Sequence, residues 1–222
     1  MKKLLIISSI TLLCAFTSNI NAQFNIGPIA GLNVSNLDVK DNDLSSVWNW
    51  GAGIVANYYF TENIAVQLEP MYLLKGGVIE AKEGDPRFDI SLSYIEVPIL
   101  FKYDFGKKEN FYLLAGLSVG YLLSSNIEAE LNGYPFEADM KETTNNVDLG
   151  GTLGAGIKFP AGSSIIFLEA KYTLGLVNLQ KGGTTYFTSD SINLELPMTM
   201  DSGQDAFNTY GIQLMAGVTF AL

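Results

Sequence analysis

The chain has 222 residues, with 13 Lys+Arg, 23 Asp+Glu, no His and one Cys, for a net charge of −10. So acidic a chain repels nucleic acid, and without His it has no Ser-His-Asp triad and no His metal ligand. Hydrophobic residues make up 48% and charged residues only 16%, against roughly 25% charged in ordinary soluble domains.

The first 22 residues have the layout of a secretory signal peptide: Met1-Lys2-Lys3, the apolar stretch Leu4–Phe16, and a small residue at Ala22. Residues 1–22 are therefore expected to be removed, leaving 23–222 as one domain. That domain keeps 11 basic and 23 acidic residues, a net charge of −12, and loses Cys14. No disulfide, thiolate nucleophile or Cys-based metal site remains. No later stretch holds 18 uncharged apolar residues, so no membrane-spanning helix is expected. An apolar exported chain rich in Gly, Tyr and Phe fits a transmembrane β-barrel instead.

Eight stretches alternate with period two. Phe24–Val34 sets Phe24, Ile26, Pro28, Ala30 and Leu32 on one face. Asn49–Phe60 sets Trp50, Ala52, Ile54, Ala56, Tyr58 and Phe60. Ile64–Lys75 sets Ile64, Val66, Leu68, Pro70, Tyr72 and Leu74. Leu92–Phe105 sets Ser93 and then Ile95, Val97, Ile99, Phe101, Tyr103 and Phe105. Phe111–Ser125, Val147–Phe159, Ser164–Val177 and Tyr210–Leu222 follow the same rule. None of the 51 residues on these faces is charged. Every strand charge falls on the opposite faces: Glu69, Lys75, Glu96, Lys102, Asp104, Asp148, Lys158, Glu169 and Lys171.

The connections alternate as well. Thr61–Asn63, Gly106–Asn110 and Pro160–Gly162 are short; Ser35–Trp48, Gly76–Ser91, Asn126–Asn146 and Asn178–Thr209 are long. Short periplasmic turns and long extracellular loops are the outer-membrane pattern. Phe24, Tyr58, Phe60, Phe105, Phe111, Phe159 and Phe220 mark one aromatic girdle, and Trp50, Tyr72, Tyr121 and Tyr210 the other. The expected fold is all-β: an eight-stranded antiparallel up-and-down transmembrane β-barrel in the outer membrane, in contact with outer-membrane lipid.

A barrel of this size is too narrow for a water channel and is filled by side chains. Glycines and small residues on the inner face leave room for long ones. Glu69, Glu96, Lys102, Lys158, Glu169 and Lys171 are expected to form a polar network that holds the lumen shut, since buried charges must pair. The four long loops carry 16 acidic and five basic residues, a surface suited to divalent cations or a basic partner. Asp38-Val39-Lys40-Asp41-Asn42-Asp43 has the look of a calcium-loop fragment but lacks the Gly and closing Glu. Gly76-Gly77 and Gly182-Gly183 read as turn punctuation. No enzyme activity, cofactor or metal is expected.

Several stretches resemble the outer-membrane β-barrel domain of Bacteroidota, the PorT-like family. They are Gly31-Leu32-Asn33-Val34-Ser35, Gly51–Gly77, Tyr94–Phe105 ("YIEVPILFKYDF"), Phe111–Leu123 and Gly217–Leu222. The resemblance spans the mature chain and implies an integral outer-membrane protein. One family member is implicated in type IX secretion, so a secretion-machinery or other envelope protein is the implied partner. The family offers no catalytic motif. Solute transport through a barrel that opens, and surface adhesion, are the alternative functions.

Overall fold

The computed structural model describes residues 24–39, 44–79, 87–105, 110–131, 134–189, 193–200 and 207–222. The segment expected to be cleaved, 1–22, lies outside the described residues, as do 40–43 of the calcium-like fragment. In chain order the strands are β1 (Phe24–Val39), β2 (Leu44–Ser45), β3 (Val47–Tyr59), β4 (Ile64–Leu68), β5 (Met71–Ile79) and β6 (Phe88–Asp104). There follow β7 (Phe111–Leu131), β8 (Tyr134–Asp139), β9 (Val147–Ala161), β10 (Ser164–Gly175), β11 (Gly183–Ser189), β12 (Leu194–Met200) and β13 (Phe207–Ala221). A 3-10 turn at Lys141–Thr143 lies between β8 and β9.

The pairing is antiparallel throughout and closes on itself. β1 pairs β3, β3 pairs both β4 and β5, and both of these pair β6; β6, β7, β9, β10 and β13 follow in turn. β13 then returns to β1, from Asn25↔Ala221 to Val39↔Phe207. The ring thus has eight staves, because β4 and β5 are one stave interrupted at Pro70. Proline has no N–H to donate to the ladder. The ladder survives on either side: Glu69 N–H donates to Pro98 O at 3.1 Å and Ile54 N–H to Pro70 O at 3.0 Å.

The alternation read from the sequence becomes the two faces of the ring wall. Leu117 and Leu153 on the outer face are 59% and 66% exposed, whereas Leu100 and Leu114 on the inner face are buried. The outward aromatics form edge-on or tilted pairs at both ends: Tyr58–Phe60 and Tyr103–Phe105 at the short-turn end, Trp50–Tyr72 at the other. Ser93, counted on the outer face, is buried. β7 carries one extra residue there, so Ser93 pairs Ser124 while Tyr94 pairs Leu122, and the two serine hydroxyls are bonded at 2.6 Å. A bulge of this kind kinks the strand and resets its phase.

The long connections are largely strand rather than loop. β7 runs on to Leu131 and turns back as β8, and β11 and β12 complete a sheet in the order β12-β11-β8-β7 beyond the ring. Its inner face has its own core of Ile127, Ala129, Phe136, Ala138, Met140 and Phe187. Gly76 and Gly77 are not turn residues: both lie buried inside β5. A Cβ on Gly76 would strike the Ile90 carbonyl oxygen, so glycine here serves close strand approach. Gly182 precedes β11 and Gly183 opens it, with φ of 82° and 133°, a region open to glycine.

Candidate functional site: a filled lumen and an acidic rim

The inner face gathers its charges into three groups. Lys171 is fully buried and ion-paired with Glu69, and lies 3.4 Å from Glu169 Oε2. Gln67 ties the group together. Its Nε2 donates to Glu69 Oε1 at 2.5 Å and to Glu169 Oε1 at 2.7 Å. Its Oε1 accepts from Lys102 Nζ at 3.0 Å. The Tyr112 hydroxyl donates to Glu169 Oε1 at 2.9 Å, and the Lys102 ammonium lies 3.8 Å from the centroid of the Tyr112 ring, a favourable cation–π position. Two lysines here face two glutamates, so this group is neutral.

The second group sits toward the short-turn end. Lys158 Nζ donates to Asp104 Oδ2 at 2.5 Å, and the Tyr59 hydroxyl donates to the same oxygen at 2.9 Å. The third lies toward the other end, where Lys75 Nζ contacts Glu96 Oε2 at 2.6 Å and Asp148 Oδ2 at 3.0 Å. Of the six residues expected to form one network, Glu69, Lys102, Glu169 and Lys171 come together. Glu96 joins Lys75 and Asp148, and Lys158 joins Asp104. Gln67 and Tyr112 are added members. Both stand at inward positions of the alternation, which is the signal that marks them.

Cross-strand register explains how ions of this length fit. Glu169 is paired with Gly156, Lys171 with Gly154, and Gly120 stands between Glu96 and Asp148. A Cβ on Gly154 would lie 2.7 Å from Lys171 Cγ. A Cβ on Gly156 would collide with the Tyr112 ring. Gly156→Val should therefore push the phenol off Glu169 and cost about 1–3 kcal/mol by overpacking. Urea unfolding of the lipid-reconstituted protein checks this, and adding Tyr112→Leu should recover part of the loss.

The inner face also carries apolar residues, which sequence reading passed over. Ile29, Val55, Met71, Leu73, Phe167 and Met215 pack together across the interior. Phe167 lies against Gly217 on the neighbouring stave, a position where a Cβ would not fit. At the long-connection end Leu179 is fully buried against Leu37, Leu92, Tyr94, Leu122 and Phe207. The strap that carries it is held by Asn145, whose N–H donates to Leu179 O at 2.7 Å. The Asn145 side-chain amide adds a bond to Asn178 O at 2.8 Å.

The sheet beyond the ring presents an acidic outer face. One cross-strand row runs Asp89↔Glu128↔Glu137↔Thr188↔Glu195, through β6, β7, β8, β11 and β12. Like charges directly opposite one another are unfavourable. Arg87 offsets Asp89 through a bidentate contact, with Nη2 at 2.9 Å from Oδ1. A groove of about 410 Å³ runs beside the row, lined by Asn126, Glu128, Glu137, Asp139, Tyr186 and Thr188.

A closed ring of staves with an apolar outer wall and a filled interior is the setting for the comparison with known proteins. The family model described as outer membrane protein beta-barrel domain matches residues 17–181. The chain belongs to this family. No curated protein matches it. The structure of a major outer membrane protein from Thermus thermophilus is similar, with a TM-score of 0.56 at 10% identity, covering 91% of this chain and 100% of that one. OprG from Pseudomonas aeruginosa gives 0.48 at 11% identity, covering 90% and 96%. Neisserial surface protein A gives 0.42 at 12% identity, covering 89% and 96%. At these identities the likeness is one of fold. As a member of the outer-membrane β-barrel family, the chain has the outer membrane as its location and lipid as the medium around its apolar wall.

Proposed function

We propose that this protein is a closed, non-enzymatic outer-membrane barrel that works as a structural and interaction protein through the acidic sheet beyond its ring. The observation that carries this reading is the filled lumen. A fully buried Lys171 with its two glutamates, an apolar cluster around Phe167 and Met215, and the buried Leu179 strap together fill the inside of the ring. Ions cannot follow such a path without displacing packed side chains. In this reading the ion groups, Glu69, Glu96, Lys102, Lys158, Glu169 and Lys171 among them, are an internal brace. The short turns face the periplasm, the strap and sheet face outward, and residues 1–22 are the cleaved export signal.

The row of Glu128, Glu137 and Glu195 fits an envelope protein that offers Lys or Arg on an extended segment, with electrostatics setting its rate of encounter and its register. A component of a secretion apparatus is one such partner. Purified protein in planar bilayers should show no stepwise conductance; stable openings would replace this reading with a transport one. Crosslinking in native cells tests the interface. A partner captured by the wild type should be lost when Glu128 and Glu137 are both changed to Lys, and equal capture by both forms would remove the acidic face from the contact.

A further inference from the structure

The charges of the ring wall do not balance everywhere. Around Gln67 two lysines meet two glutamates, and Lys158 meets Asp104. In the third group two carboxylates share one ammonium. Lys75 Nζ engages Glu96 Oε2 and Asp148 Oδ2, and the Thr209 hydroxyl donates to Asp148 Oδ2 at 3.0 Å. Glu96, Asp148 and Lys75 are 1%, 3% and 6% exposed. Neither Glu96 oxygen has a hydrogen-bond partner, Oε2 meeting Lys75 only as an ion pair, and Asp148 Oδ1 has none either.

A further buried oxygen points to the same place. Tyr94 is fully buried and its hydroxyl is also without a partner. Its ring flanks Gly120, the residue paired with Glu96 on one side and Asp148 on the other. A Cβ on Gly120 would lie 3.1 Å from Tyr94 Cδ1 and 3.5 Å from Asp148 Cβ. The Tyr94 ring centroid lies 5.0 Å from Lys75 Nζ, the ammonium that both carboxylates contact. Buried polar atoms are nearly always satisfied, and a buried surplus charge is costly. A surplus negative charge beside buried oxygens with no donor favours a positive ligand at this place.

We propose that this chamber binds one monovalent alkali cation, Na⁺ or K⁺, through Glu96 Oε1, Asp148 Oδ1 and the Tyr94 hydroxyl. Hard oxygen donors suit such an ion. One positive charge makes the chamber neutral, whereas a divalent ion would overshoot it. Among the described residues no group of three or more acidic, His or Cys side chains gathers to hold a divalent metal. A void of about 10 Å³, enough for one water, lies against Lys75 and Gln213, whose Oε1 is likewise unpartnered. Leu179 of the strap packs in one cluster with Tyr94.

The test is thermal unfolding of the purified full chain in dodecyl maltoside, in NaCl, KCl or N-methylglucamine chloride at equal ionic strength. The wild type should unfold a few degrees higher, about 3 °C or more, in one of the alkali salts, and the gain should saturate with concentration. Asp148→Asn and Glu96→Gln should abolish the difference. In N-methylglucamine, Asp148→Asn should unfold later than the wild type, because it removes the surplus charge. Glu69→Gln, in the balanced group, should leave the salt difference in place. Equal wild-type midpoints in all three salts overturn the proposal, whether or not the variants fold. So does the same salt difference in Asp148→Asn. A midpoint blind to the cation but rising as pH falls would also overturn it, and would mean that a proton, not a metal ion, offsets the surplus charge.

Discussion

Replacing Lys171 with Met should destabilise the barrel by about 3–5 kcal/mol, because it strands two buried glutamates with one lysine between them. Lys171 is fully buried, and both Glu69 and Glu169 lie on its ammonium. Without it Glu69 keeps only the Gln67 amide, and the remaining cation, Lys102, is held at Gln67 Oε1 and over the Tyr112 ring. Neither carboxylate can reach water without breaking the wall. The measurement is urea unfolding in lipid vesicles, followed by the mobility shift between unheated and heated samples in detergent gels. Adding Glu69→Gln to Lys171→Met restores neutrality and should return most of the loss. A single-variant loss under about 1 kcal/mol would mean that water enters the lumen freely and screens the pair.

Leu153→Arg should cost about 2–4 kcal/mol, since an arginine on the lipid face near the midplane of a barrel is penalised by that much. Leu153 lies in the middle of β9, faces outward, and is 66% exposed beside Ala115 and Tyr172 on its neighbouring staves. The comparison that gives the number its meaning is Phe159→Arg on the same face of the same strand. Phe159 stands at the short-turn rim, where an arginine reaches headgroups and the cost falls to about 0–1 kcal/mol. Both variants are scored by the folded fraction after refolding into vesicles. Equal costs would place the hydrocarbon boundary elsewhere on the wall.

The staves could be read from the sequence because their outer wall answers to one demand. Lipid admits no charge, so the outward positions of Leu92–Phe105 or Ser164–Val177 carry none, and period two stands out. The sheet beyond the ring has the same period with its polarity inverted. Ile127, Ala129, Phe136 and Ala138 point inward to a core while Glu128, Glu130, Glu137 and Asp139 point out. A search for apolar outward faces stops where that inversion begins, at the bulge opposite Ser93, and the strands beyond it pass for loop. The ion groups were legible as residues but not as partners. Glu69, at the break between β4 and β5, and Glu96, within β6, stand on adjoining staves, yet register sets Glu96 opposite Met71 and Gly120, one level away from Glu69. Strand stagger decides who meets whom, and composition does not encode it. The apolar inner residues escape notice for a related reason: apolar side chains such as Phe167 and Met215 sit at positions where a membrane barrel is expected to turn polar groups inward.

Closure of the ring between β1 and β13 also bears on how the molecule comes to exist. Asn25 meets Ala221 across nearly the whole length of the chain. No local contact can stand in for that one, so the loop-closure entropy must be met before the seam contributes anything. During synthesis β1 precedes its partner β13 by most of the barrel. Until the two pair, the curved sheet has two raw margins, each a template for pairing with another copy. The dangerous period for this protein is thus the interval between export and the meeting of its first and last staves. Whatever escorts it through that interval has to hold two strand edges apart, and then release them together.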